Sequence, residues 1–418
     1  MTVAIMARTG PVAGRPATIR PLLAATVFVL LMAVTARGAI ETVTGKQPAY
    51  AVQLICALLL VGVLRVRATP VPGRARRWGV YVALYALVAG GIASAIITVN
   101  TWHLGSIVAP ALYIGTFSAL GLLLCWGTDR TRTSDNLRVV APAGVAVVVL
   151  QVAVGTGQQR LGWSFASGSD QASVEALVRP AGLTGSYLHY PLVLAVLAFM
   201  LFGVWMRGRS SLAILGSGVA VMGVLLSYSR SGMMILAFTL LFALLFSRTA
   251  STRLATVIVG LLAGAGTLLF LQGSPVLDRA LSALDIESTG NVGRLAQWQA
   301  GVEMWTQSPL VLGSHTGLVT NITRNFGGLS IGVVESSVLQ QLLNLGLVGA
   351  VATYWLLFAV VRAIPATDIW VRAGAAACLA QTAVYQSIEV LPFMTLLAVL
   401  PLAFTSAPVT AQQLGRTR

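Results

Sequence analysis

The chain has 418 residues, of which 56% are hydrophobic and only 9% charged, and its formal net charge is +15 at pH 7. A soluble domain carries about 25% charged residues, so a chain this apolar, with a mean hydropathy of +0.84, must be solvated largely by lipid. Three cysteines in apolar runs, Cys56, Cys125 and Cys378, exclude a secreted disulfide scaffold and read as small core residues; no His/Cys metal-ligand spacing occurs.

Crossing a bilayer takes about 20 apolar helical residues. Twelve candidate spans follow in order, at about 21–36, 49–64, 78–99, 104–127, 138–154, 187–206, 211–228, 231–247, 254–271, 337–361, 373–388 and 391–406. The predicted fold class is therefore all-α, a polytopic membrane helix bundle of about 12 transmembrane helices. The first span lacks a clear small-residue cleavage site and reads as a retained helix, not a signal peptide. In domain terms, 1–20 is a tail, 21–271 holds the first nine spans with an outer loop at 155–186, 272–336 is a large outer loop, 337–406 holds the last three spans, and 407–418 is a second tail.

Positive charge marks the cytoplasmic side of such a chain. With both termini cytoplasmic, nineteen of the 27 basic residues and three of the 12 acids fall inside, a balance of +16. Eight basic and nine acidic residues fall outside, a balance of −1. Membrane orientation thus explains the basic surplus without any nucleic acid. All three histidines, His103, His189 and His315, map to the outer side, as do the two long loops. Long ordered loops are usually functional, so chemistry is expected on the outer face.

Ion-coupled transporters carry ionisable residues inside their spans. Here the expected spans hold no formal charge except Glu389, near the end of the eleventh. Gln53, Gln381 and Gln386 are neutral and suit helix–helix hydrogen bonds. No arginine ladder, P-loop or selectivity filter appears, and Tyr228-Ser229-Arg230-Ser231-Gly232 lacks the Gly-x-Ser-Gly elbow of a serine hydrolase.

Four outer segments carry the remaining signal. Arg179-Pro180-Ala181-Gly182-Leu183-Thr184-Gly185-Ser186 is a turn that presents Arg179 at the membrane surface; it is either a phosphate ligand or an arginine among headgroups. Ser229-Arg230-Ser231-Gly232 is a hinge between two spans whose arginine either meets an anion or snorkels to the interface. In the third segment Asn291 is a plausible N-cap, and Arg294, Trp298, Gly301 and Trp305 share one helical face, a glycan-binding surface or an interfacial aromatic belt. Leu312-Gly313-Ser314-His315-Thr316-Gly317 follows as a turn. In the fourth, Glu335 opens the tenth span, where an acid either complements the helix dipole or acts as a general base; Gly346 and Gly349 let a neighbouring helix approach closely.

In this order and on these spans, the four segments resemble the O-antigen ligase/polymerase family of bacterial envelope glycosyltransferases. The resemblance covers roughly 175–360 and rests on Arg179 to Gly185, Ser229-Arg230-Ser231-Gly232, Arg294 to Trp298 with Pro309-Leu310-Val311-Leu312-Gly313, and Glu335 with Gly346-Leu347-Val348-Gly349. Ligases of the family carry histidine where Glu335 stands; an acid there looks more like the polymerase and exopolysaccharide members. The resemblance implies a multi-pass protein of the bacterial cytoplasmic membrane with an outward-facing site. Its expected donor is a glycan on an undecaprenyl-type pyrophosphate and its acceptor a second glycan, with no cofactor or metal.

Under that resemblance Arg179, Arg230 and Arg294 hold the pyrophosphate and stabilise it as leaving group. Glu335, with Arg230 beside it in the catalytic set, takes the proton from an attacking hydroxyl, and a single displacement inverts the anomeric centre. Trp298, His315 and Arg324 are candidate glycan contacts. A flippase and a chain-length regulator are the expected protein partners. Three alternatives stand beside the polymerase: a ligase moving finished glycan to an envelope acceptor, a non-enzymatic lipid or glycan transporter, and a lipid-linked-sugar transferase of another type. The last usually carries paired acids in its first outer loop, where this chain holds only Glu41.

Overall fold

In the computed structural model, residues 19–70, 77–104, 107–129, 132–133, 136–167, 173–174, 177–250, 253–254, 256–261, 289–309, 311–323 and 334–404 are described. The helices are α1 (Ile19–Thr35), α2 (Arg37–Thr44), α3 (Lys46–Arg67), α4 (Trp78–Trp102), α5 (Val108–Thr128), α6 (Leu137–Leu161), α7 (His189–Gly208), α8 (Ser211–Leu226), α9 (Arg230–Phe246), α10 (Thr289–Thr306), α11 (Ser337–Ala363), α12 (Ile369–Gln381) and α13 (Leu391–Ala403). Among the described residues, strand pairing is confined to two-residue ladders, β1 (Thr69–Pro70) with β2 (Arg132–Thr133) and β3 (Ser173–Val174) with β4 (Leu177–Val178). The expected span at 254–271 lies mostly outside the described residues, as do Arg324, both chain ends and much of the 272–336 loop.

Six described helices, α3 to α7 and α11, are long and apolar enough to cross a membrane, and a seventh span results if α1 and α2, bent by 74°, count as one. Helices α8, α9 and α13 are apolar but shorter. Their surfaces show why a bilayer suits them. On α4, Val80, Ala83, Leu87 and Ala95 are buried, while Val82, Tyr85, Ile92 and Ile96 are each at least half exposed. In water such an apolar surface would be a liability; in lipid it is solvated. At the centre, every residue of α13 is buried, which explains how a helix of 13 residues can be apolar all round.

Ion pairs and amide bonds gather the helix ends into two groups. At one end Arg65 of α3 pairs with Asp129, which follows α5, at 2.8 Å, and the Tyr81 hydroxyl donates to the same carboxylate at 2.7 Å. Arg207 of α7 grips Asp368, just before α12, with two guanidinium nitrogens. Asn136 donates to the carbonyls of Leu64 and Leu402, tying the starts and ends of α6, α3 and α13 together. Asp129 and Asp368 are both buried, so each needs its arginine.

The opposite end gathers α2, residues 162–167 and 177–186, the α8–α9 hinge, α10, the 311–323 turn and the start of α11. Helix α11 is broken inside. Gly346 has φ +66° and ψ −171°, a conformation that favours glycine. The sequence reading of Gly346 as a helix-packing glycine is corrected here: the loop from Val311 to Gly313, not a helix, lies against it. The carbonyls freed by the break are satisfied by that loop, Leu343 O by the His315 amide at 3.1 Å and Asn344 O by the Thr316 hydroxyl at 2.6 Å, as buried carbonyls require.

The expected eleventh span, 373–388, is also corrected. Helix α12 stops at Gln381, and Tyr385 to Val390 form a turn with one 3-10 segment, Ser387–Glu389. Ser337 holds that turn through its hydroxyl, which donates to Tyr385 O at 2.8 Å. Asn291 is not an N-cap, because the α10 helix already runs at Thr289.

Candidate functional site

The site is built on the end of the molecule where loops are longest. The Arg179 turn is positioned by two buried amides of α6. Gln158 Oε1 accepts from the amides of Ala181 and Gly182 at 2.9 and 2.8 Å, and Gln151 Oε1 accepts from Leu183 N at 2.8 Å. Gly182 and Gly185 take positive φ, +56° and +73°, and Gly185 lies directly against Gly38 of α2. Arg179 itself is buried, 9% exposed, with its guanidinium 4.2 Å from the centre of the Tyr187 ring. That is a cation–π contact, not a snorkelling arginine.

The Arg230 hinge forms as expected. Ser229 caps α9 in extended conformation, Tyr228 is left-handed at φ +53°, and the Ser229 and Ser231 hydroxyls bond at 2.9 Å. Gly232 is required because a Cβ there would meet Pro191 at 2.8 Å. Gln159 donates to Leu226 O at 3.2 Å and reaches Val178 O at 3.4 Å, so the hinge and the Arg179 turn share one end of the bundle.

Helix α10 turns its Arg294 face toward the start of α11. Arg294 Nε donates to Glu335 Oε2 at 2.5 Å, and Trp298 Nε1 donates to Glu335 O at 3.1 Å. A Cβ on Gly301 would sit 3.3 Å from Val334, and Trp298 and Trp305 pack with Val319, Val334 and Leu343. These tryptophans therefore dock α10 onto α11 and do not form an aromatic belt. Trp298 has its indole N–H taken by the Glu335 carbonyl.

Glu335 had two readings, and the geometry separates them. The helix cap is Ser336, whose hydroxyl accepts from Leu339 N. Glu335 stands one residue outside the helix and turns to Arg294. The pair is open, with side chains 29% and 33% exposed; such pairs contribute only about 0–1 kcal/mol and are readily exchanged for another anion. Behind it stands Tyr385, which sequence reasoning passed over because it lies in an apolar run. Its turn is bonded to the two residues that follow Glu335: Ser336 Oγ donates to Ala383 O and Ser337 Oγ to Tyr385 O. The polar cluster Tyr385-Gln386-Ser387-Ile388-Glu389 was the signal available.

His315 is placed elsewhere. Ser314 Oγ donates to Ser308 Oγ at 2.9 Å and Ser308 Oγ to Met304 O at 2.7 Å, so His315 Nδ1 donates to Ser314 Oγ at 3.1 Å. The ring meets Trp102 edge-on at 5.3 Å and is 6% exposed. No described contact joins His315 or Arg230 to Glu335. Burial lowers the His315 pKa from its ordinary value, so the unfolded chain binds the proton more readily, and stability is lost as pH falls below about 6.5. Thermal melts should show the wild-type Tm dropping further between pH 7.5 and 5.5 than that of His315→Gln; equal drops would remove the histidine from this account.

Among the described residues, no three His, Cys, Asp or Glu side chains stand together as a metal-binding group. No curated protein matches the chain. Residues 215–354, from α8 through the Arg230 hinge, α10 and Glu335 into α11, match the family model described as O-antigen ligase; over this part of its length the chain is similar to that family.

Proposed function

We propose that the protein is a membrane glycosyltransferase that polymerises polyprenyl-pyrophosphate-linked oligosaccharide at the outer leaflet of the bacterial cytoplasmic membrane. The observation that carries this reading is a solvent-accessible carboxylate, Glu335, held by Arg294 at 2.5 Å. Bond making to a sugar C1 with loss of pyrophosphate needs a base on one side and cations on the other. Arg294 and Arg179 supply the cations, with Arg230 at the same end.

Arg294 links the two halves of the reaction. A diphosphate arriving at the guanidinium draws it off Glu335. The freed carboxylate takes the proton of the acceptor hydroxyl as its oxygen attacks C1. The C1–O bond to the pyrophosphate breaks, and the arginines hold the departing charge. One displacement of this kind inverts the anomeric configuration. With the basic residues of the chain on the cytoplasmic side, this end of the bundle faces outside.

The test is reconstitution. The full chain in nanodiscs, given synthetic undecaprenyl-pyrophosphate oligosaccharide with EDTA present, should yield a ladder of integral repeat units with inverted linkages, read by mass and NMR. Translocated but unlinked substrate would overturn the reading in favour of a transporter. One observation favours a second reading: the matched family model carries the description O-antigen ligase. A ligase would attach one preformed chain to an acceptor and give no ladder.

A further inference from the structure

The structure assigns a further ligand-binding group to this site: we infer that the Tyr385 hydroxyl donates a hydrogen bond to a phosphoryl oxygen of the donor's pyrophosphate, at the Glu335–Arg294 end of the bundle. The inference rests on the proposed lipid-pyrophosphate reading and adds a residue that neither the motifs nor the family match contains, since the match ends at residue 354.

Three observations carry it. First, Tyr385 is 4% exposed, yet its Oη has no hydrogen-bond partner among the described residues. Buried hydroxyls are almost always satisfied, and an unmet one calls for an explanation such as a missing ligand. Second, the turn that carries the ring is fixed. Its backbone carbonyl accepts from Ser337 Oγ at 2.8 Å and from Ser337 N at 3.3 Å, while Ser336 Oγ donates to Ala383 O at 2.7 Å. The turn bearing Tyr385 is thus stapled to the two residues that follow Glu335. Third, the residue just before that staple is Glu335, whose carboxylate holds Arg294 at 2.5 Å, a guanidinium suited to a diphosphate.

A phenol completes such a site in a way an arginine does not. It adds a donor without adding charge, so it does not compete with Glu335 for Arg294. It is rigid about its ring and held from behind, so little entropy is lost when the bond forms. Without a diphosphate the phenol has no acceptor among the described residues; when the diphosphate takes Arg294 the phenol has an anionic oxygen to donate to.

The test compares wild type with Tyr385→Phe in detergent, titrated with glycan-free undecaprenyl pyrophosphate and followed by thermophoresis, with Tm measured without ligand. A hydrogen bond to a charged group contributes about 1.5–3 kcal/mol, so the variant should bind roughly ten- to a hundred-fold more weakly. Its ligand-free Tm should be unchanged or higher, because a buried, unmet hydroxyl has been removed. Equal affinities would overturn the Tyr385 assignment and leave the pyrophosphate site standing. A Tm fall in Tyr385→Phe would show that the hydroxyl is already bonded within the protein and would also overturn it. No binding by wild type would instead remove the lipid-pyrophosphate reading on which it rests.

Discussion

Glu335→Gln is expected to abolish glycan transfer, lowering turnover by about 10²–10⁴-fold as befits loss of a general base, while the protein still inserts and melts like wild type. The variant keeps the shape and can still accept from Arg294, but it cannot take a proton. Because the carboxylate is 33% exposed and its ion pair is open, little stability depends on it. The readout is single-turnover transfer from the lipid-linked donor, with binding of the donor measured separately. Donor affinity should be kept or should rise, since Arg294 no longer has a competing anion. Normal transfer by Glu335→Gln would eliminate Glu335 as the base. Arg230→Ala, by contrast, is expected to lose transfer along with donor affinity, because its role is charge stabilisation.

The second large effect is structural. Gly346→Ala should destroy the folded protein or lower its Tm by well over 10 °C in detergent. Alanine at φ +66° is strained by about 1–3 kcal/mol, and its Cβ would lie 2.4 Å from Val311 O and 2.5 Å from Leu312 Cα. Both are backbone atoms and cannot rotate away. The loop they belong to leads through Gly313, whose own Cβ would strike Leu343 O at 2.4 Å. Two glycine segments that look like separate motifs are one interlocked joint. The control is Gly218→Ala on α8, where a Cβ meets nothing within 4 Å; its Tm should hold or rise. Equal behaviour of the two variants, measured by fluorescence-detected melting, would refute the joint.

The joint also accounts for the broken α11. Unwinding a membrane helix exposes backbone carbonyls that lipid cannot satisfy. Here Gly317 N and the Thr316 hydroxyl reach Asn344, and Ser94 Oγ accepts from Gly313 N at 3.0 Å. The break is tolerated because loop, α4 and α11 close on one another, and it fixes where the Glu335 end of the helix points.

Much of the bundle was legible from local pattern. Apolar runs placed helices at ten of the twelve expected positions, six of them long enough to cross a membrane, because a long apolar run is a property of each segment alone. The Arg179 turn and the Ser229–Gly232 hinge were readable for a related reason: glycine, proline and serine announce special backbone where they stand. Where a helix stops inside an apolar run carries no such signal, so the end of α12 at Gln381 and the turn at Tyr385 passed as continuous span.

The amino-acid order by itself determined that the chain suits lipid, and which arginines and which acid were candidates for chemistry. Only the tertiary structure decided that Glu335 answers to Arg294, 41 residues away, and not to its own helix; that His315 belongs to a different cluster; and that the Tyr385 turn is bonded to the residues that follow Glu335. The physical reason is range. Hydropathy and charge asymmetry are summed along the chain and survive any packing, whereas a pairing between side chains depends on where remote helices break and cross.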